Sequence, residues 1–212
     1  MQRFGKWLGR GLAFLFLTIA ALWLFLPRPG VDREISFDAA RLPADLEAWV
    51  AQSEQQFSDI RPGDGKRIIW AGAKGAQTPL SIVYIHGFSA SPAEIRPVPD
   101  EVARALGANL FFTRLTGHGR TGAAMLDATA EAWLADMAEA MEIGRRLGQR
   151  VVVIGTSTGG TLAAIAATDP ALNAGLAGTV LISPNFGVQG VAQTLLDAPL
   201  AEHWAALVAG ST

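Results

Sequence analysis

Residues 151 to 167, VVVIGTSTGGTLAAIAA, contain the pattern Gly155-x-Ser157-x-Gly159 between an apolar β-branched run and a small-residue run. A serine hydroxyl becomes a useful nucleophile when a tight strand-to-helix turn forces it out of the backbone, and that turn needs glycines on both sides so that the backbones can pass closely. Gly155 and Gly159 stand where those glycines are required. A helix starting just after Ser157 would aim free N–H groups and its positive dipole end at the serine. That arrangement suits the oxyanion of an acyl transfer. One oxyanion donor would be the backbone N–H of Thr158, the residue after the nucleophile. The second would come from an earlier strand-to-helix loop, and His86-Gly87-Phe88-Ser89 follows such a strand, which makes the Phe88 N–H the candidate.

These residues need strands and helices to hold them. Residues 66 to 71, 81 to 85, 109 to 113, 151 to 154 and 179 to 182 read as strands. Residues 99 to 106 read as a helix stopped by Gly107, and residues 161 to 168 as a helix stopped by Asp169-Pro170. Trp133, Leu134, Met137, Met141 and Leu147 recur at helical spacing over residues 130 to 147, with Gly148 as the C-terminal stop. A further amphipathic helix is expected near residues 43 to 57, through Leu46, Trp49, Val50 and Phe57. Alternating strands and helices predict βαβ units and a mostly parallel sheet flanked by helices, an α/β class. Glu131, Glu139 and Glu142 read as a solvated helix face, and Trp133 and Met137 as core.

Composition narrows the function classes. Seventeen basic against nineteen acidic residues leave a net charge of −2. Residues 1 to 30 hold four basic and no acidic side chains, so the remainder is thirteen against nineteen, or −6. An acidic body argues against a nucleic-acid surface. With no cysteine, disulfides, thiolate metal sites, iron–sulfur clusters and cysteine nucleophiles are excluded. The three histidines share no ligand spacing, so no metal and no cofactor are expected. A phosphate loop is the rival for GTSTGG, but no lysine follows Gly160 and the G-x-G-x-x-G spacing is missing.

Residues 11 to 26 form sixteen uncharged, mostly apolar positions after Arg10. As a helix they span about 24 Å, and Trp7 and Leu8 extend the span if Arg10 snorkels. Arg3, Lys6 and Arg10 would keep that end cytoplasmic and send the domain to the periplasmic or extracellular side. No small-x-small cleavage site precedes Pro27, so an uncleaved single-pass anchor is expected, with a cleaved signal peptide or a buried core helix as alternatives. The expected organisation is an anchor over 1–30, a lead-in over 31–65 and one domain over 66–212, with a cap region beginning near 190.

Through YIHGFSASPAE, FFTRLTGHGRT, the AWLADM helix and VVVIGTSTGG, the sequence resembles the α/β-hydrolase superfamily over residues 80 to about 190. The likeness is to the carboxylesterase, monoacylglycerol lipase and serine aminopeptidase branch. The resemblance implies an eight-stranded, mostly parallel sheet and a Ser-His-acid triad with Ser157 as nucleophile and Phe88 and Thr158 as oxyanion donors. It implies a small-molecule or lipid ester as substrate. An amide or peptide hydrolase, or a membrane-anchored binding protein without turnover, are the alternatives. It also implies that His86 and His118 are structural loop residues. His203 with Asp197 gives the order Ser, Asp, His, but the six residues between them leave no room for the strand and helix the family places there. His203 is therefore expected on a cap helix, and the base and acid beyond Thr212.

Overall fold

Strand β2 (Thr78–Ile85) and strand β4 (Gly148–Thr156) are apolar over most of their length because both faces of each are covered. The computed structural model describes residues 2–26, 30–32, 35, 37–187, 198 and 199. Within residues 32–186, β1 (Arg67–Ile69), β3 (Asn109–Phe112) and β5 (Leu176–Ile182) join them in a five-stranded sheet of order β1-β3-β2-β4-β5. All neighbours are parallel except β1, which runs antiparallel to β3. Alternation along β2 feeds two cores. Val83 and Ile85 face one side with Phe111, Val151 and Val153, against Met137 and Met141 of α4 (Ala130–Leu147) and Leu162 of α5 (Thr158–Thr168). Ile82 and Tyr84 face the other with Leu110, Phe112 and Ile154, against Ala103 of α3 (Val98–Leu106).

The helix starts follow from local chemistry. Asp45 caps α2 (Leu46–Gln55) by accepting from Ala48 N–H at 3.0 Å, and Thr129 caps α4 by accepting from Ala132 N–H at 3.1 Å. Leu46 and Val50 of α2 are buried in the first core. Gly107 ends α3 in the left-handed region, at φ 60°.

The chain passes from β2 through α3 to β3 on one side, then returns through α4 to β4 on the other side of β2. The helices that follow β2 and β4 therefore lie on opposite faces of the sheet. The carboxyl ends of this strand pair are the point where the winding reverses, the place where open α/β sheets form a crevice.

Two expectations are corrected and a third gains a second role. The helix after β4 begins at Thr158 rather than residue 161, because Thr158, Gly159 and Gly160 can wind directly under the sheet end. Gly148 stops α4 as expected, its N–H bonding to Gly144 C=O, and in an extended conformation at φ −145° it also opens β4. A side chain there would run into the Leu80 and Ser81 backbone, so the glycine serves a close strand approach. Glu139 is not solvated: it is 6% exposed, pairs with Lys66, and accepts from Trp49 Nε1–H at 2.8 Å.

Helix α1 (Gln2–Phe25) belongs to a separate unit. Its segment Lys6–Phe25, with mean hydropathy 1.9, is long and apolar enough to cross a membrane, a property it shares with signal sequences.

Candidate active site

Ser157 stands between the last residue of β4 and the first of α5, at φ 49° and ψ −113°. A non-glycine residue at that geometry costs about 1–3 kcal/mol and persists only where its surroundings enforce it. The enforcement is visible. Ser157 N–H donates to Ile182 C=O at 2.9 Å, and its own C=O accepts from Thr161 N–H at 3.1 Å and Asn185 N–H at 3.2 Å. The side chain makes no capping bond to the helix it precedes, although serine is a favoured cap, so the hydroxyl is left free of the backbone.

The flanking glycines are where contact demands them. A Cβ on Gly155 would overlap the Gly159 carbonyl, and one on Gly159 would overlap the Ile85 carbonyl and lie 2.6 Å from that of His86. A Cβ on Gly87 would lie 3.2 Å from Ser157 Cβ. The structure thus brings Gly155, Ser157, Thr158 and Gly159 together with Ile85, His86 and Gly87, as β2 and β4 end side by side with Ile85 opposite Gly155.

The loop after β2 is fixed by His86. Leu115 N–H donates to His86 Nε2 at 3.1 Å, so the protonated nitrogen is Nδ1, which donates to Gly87 C=O at 2.8 Å. Ala90 N–H adds a second bond to that carbonyl at 3.3 Å. Because the two ends of a trans peptide point opposite ways, pinning Gly87 C=O turns the Phe88 N–H outward. Among the described residues neither the Phe88 nor the Thr158 N–H donates to a protein acceptor. Burial drives the His86 pKa down to about 4, so the ring is neutral at physiological pH.

His118 has the same role one loop away. Its Nε2 accepts from Ser89 N–H at 3.2 Å and its Nδ1 faces Thr116 C=O at 3.2 Å, while burial lowers its pKa. Its ring lies 5.0 Å from that of His86, 5.8 Å from Phe88 and 5.6 Å from Trp133. Trp133 Nε1–H donates to Thr116 C=O at 3.0 Å, and Asp136 accepts from Thr116 N–H at 2.6 Å. Phe88 stays 58% exposed, its ring 6.2 Å from that of Trp133. With every nitrogen engaged, neither His86 nor His118 offers a lone pair to Ser157. His203 and Asp197, like most of the expected cap region, lie outside the described residues.

One group of polar residues escaped the sequence reading. Glu94 Oε2 accepts from Gly87 N–H at 3.0 Å and from the Tyr84 hydroxyl at 2.8 Å, and that hydroxyl lies 3.2 Å from Thr156 Oγ1. No spacing rule flags a carboxylate seven residues past a loop glycine. Among the described residues no cluster of groups suited to a metal ion is found.

A thermostable monoacylglycerol lipase from Bacillus sp. (strain H-257) is 33% identical to the chain over 84 residues, which cover 40% of this chain and 33% of the lipase. A solved structure from work on the metagenome-derived lipolytic enzymes LipS and LipT superposes with a TM-score of 0.55 at 28% identity, covering 63% of this chain and 51% of that one. The chain therefore spans between a third and about half the length of these relatives. Residues 82–211 match the sequence profile of the alpha/beta hydrolase family. With that match over more than half its length, and with the sheet and turn described above, the chain belongs to the alpha/beta hydrolase family.

Proposed function

We propose that the chain is a membrane-tethered serine hydrolase of carboxylic esters that works through an acyl-enzyme on Ser157. The observation that carries the proposal is the strained backbone of Ser157 on the turn between β4 and α5, with its hydroxyl free and two unengaged amides on the neighbouring backbone. In this reading a general base takes the hydroxyl proton as Oγ attacks the ester carbonyl carbon. The negative charge that develops on the carbonyl oxygen is met by the Phe88 and Thr158 N–H groups. The alcohol leaves with the proton, and water then cleaves the acyl-enzyme to the acid. The base is not His86 or His118, whose nitrogens are committed to the backbone.

Relatives named for monoacylglycerol and lipolytic activity favour an ester, small or lipid, over an amide. The exposed Phe88 ring beside Trp133 favours an apolar acyl group. Helix α1 is read as the anchor, with Arg3, Lys6 and Arg10 on the cytoplasmic side and the domain across the membrane.

The test is turnover of p-nitrophenyl esters and p-nitroanilides by the full-length gene product, with labelling by a fluorophosphonate. Ester turnover and labelling that both vanish in Ser157→Ala support the proposal. Anilide turnover exceeding ester turnover would make the protein an amidase. A folded wild-type protein that neither labels nor turns over would make it a binding protein.

A further inference from the structure

We infer that Glu94 is a positioning residue, whose carboxylate holds the loop that carries the Phe88 amide in register with the strand end that carries Ser157. The inference rests on the reading of Ser157 as nucleophile and of the Phe88 N–H as oxyanion donor. Glu94 Oε2 accepts two hydrogen bonds from two elements. Gly87 N–H at 3.0 Å belongs to the loop, and the Tyr84 hydroxyl at 2.8 Å belongs to β2. The same hydroxyl lies 3.2 Å from Thr156 Oγ1, and Thr156 is the residue before Ser157. The second oxygen packs on Gly87, 3.1 Å from where a Cβ would be. One carboxylate thereby links Gly87, Tyr84 and, through Tyr84, the end of β4.

Gly87 has the freest backbone of any residue type at the point where the loop must be most exact in direction. Its carbonyl is held by His86 and Ala90, which fixes the Phe88 N–H. Its N–H is held by Glu94, which fixes the peptide on the other side. Releasing the second restraint lets the first rotate with the glycine. Donors must sit about 2.7–3.1 Å from the oxyanion, so a small rotation removes their effect on the transition state while leaving ground-state binding largely intact. Tyr84 is fully buried and burial raises its pKa, so it stays a hydroxyl donor at any working pH. A purely structural Glu94, present only to satisfy the Tyr84 hydroxyl, would affect stability and leave kcat alone.

The experiment compares wild type with Glu94→Ala, Glu94→Gln, Tyr84→Phe and Ser157→Ala in the full-length protein, reading kcat, KM and thermal stability on a p-nitrophenyl ester. Expected is a fall in kcat of about 30- to 100-fold for Glu94→Ala with KM within about threefold, since the loss is of transition-state stabilisation. Glu94→Gln, whose amide oxygen can accept the same two bonds, should recover to within about fivefold of wild type. Tyr84→Phe, which keeps the Gly87 bond but cuts the link to Thr156, should lose about three- to tenfold in kcat. A folded Glu94→Ala with kcat within threefold of wild type, or a loss confined to KM, overturns the inference. So does a Glu94→Gln as impaired as Glu94→Ala. Should Glu94→Ala not fold, unchanged kcat in Tyr84→Phe overturns it instead. Turnover surviving in Ser157→Ala defeats the nucleophile reading, whereas an inactive Ser157→Ala beside an unaffected Glu94→Ala defeats only the role of Glu94.

Discussion

Gly159 in the first turn of α5 lies directly against Ile85 at the end of β2, so close that any Cβ at residue 159 would overlap the Ile85 carbonyl oxygen. The obstacle is backbone, which cannot turn aside as the tip of a side chain can. Gly159→Ala should therefore push the helix off the strand pair, costing about 3 kcal/mol and moving Ser157 with it. Gly122→Ala is the control, because its Cβ would meet nothing within 4 Å. Urea denaturation of both variants checks the contrast, and equal midpoints would contradict it.

Ser157 offers a separation of strain from chemistry. At φ 49° glycine is at ease and serine is not, and the serine side chain contributes no helix cap. Ser157→Gly should raise the unfolding free energy by about 1 kcal/mol while abolishing any turnover that depends on the hydroxyl. Ser157→Ala keeps the strain and should not be stabilised. Denaturant midpoints of the three proteins decide the matter.

The turn was legible in the sequence because its chemistry restricts composition: only glycine tolerates the contacts at residues 155 and 159, so the pattern is written in adjacent residues. The strand and helix around Ser157 were legible for a similar reason, as Val151 to Ile154 are buried or half-buried and apolar. Glu139 misled because its partners Lys66 and Trp49 lie 73 and 90 residues away, and helical periodicity says nothing about what another segment brings to a polar residue. Glu94 was invisible for a different reason: its partners Tyr84 and Gly87 are only ten and seven residues away, but its meaning depends on where they point. Gly148 was legible as the stop of α4, but its second use, the small size that lets β4 start against the Leu80 and Ser81 backbone, was not, because spacing does not separate a glycine's conformational freedom from its size.

Topology is tested without any substrate. With Arg3, Lys6 and Arg10 before the apolar span and α1 long enough to cross, the protein should fractionate with membranes and resist extraction by high salt. Protease added outside intact spheroplasts should digest the domain. A domain that survives until the cells are lysed would place it on the cytoplasmic side.

His86 sets a pH dependence of stability. Its folded pKa of about 4 lies below the ordinary 6.5, so between these values the unfolded chain binds a proton that the native state refuses. Stability is full above pH 6.5 and falls as the pH drops towards 4, by about 3 kcal/mol from this group alone. The lowered pKa of His118 acts in the same direction. The carboxylates held low by partners, Asp59 with Arg120 and Glu47 with Lys74, lose their contribution only below their ordinary values near 4, and Asp136, whose pKa burial raises, gains stability as the pH falls, so the upper part of the fall belongs to histidine. Urea unfolding at half-unit steps from pH 7.5 to 4 checks this, and a curve flat above pH 5 would contradict it.

The buried pair of Lys66 and Glu139 should behave asymmetrically on mutation. Their side chains are 9% and 8% exposed, and Trp49 Nε1–H supplies Glu139 with a further bond at 2.8 Å. Burial alone would lower the Lys66 pKa, but the Glu139 and Asp136 carboxylates outweigh it and hold the ammonium charged. Lys66→Met leaves the nearly buried Glu139 carboxylate without its cation and with the like charge of Asp136 in its neighbourhood, and should cost about 3–5 kcal/mol. Glu139→Leu leaves an ammonium that still has Asp136 beside it, and should cost less. The double variant removes both charges of the pair and fills their place with apolar atoms, so it should be more stable than Lys66→Met by about 1 kcal/mol or more. A double-mutant cycle in urea measures this coupling, and additive losses would show that the two side chains do not stabilise one another.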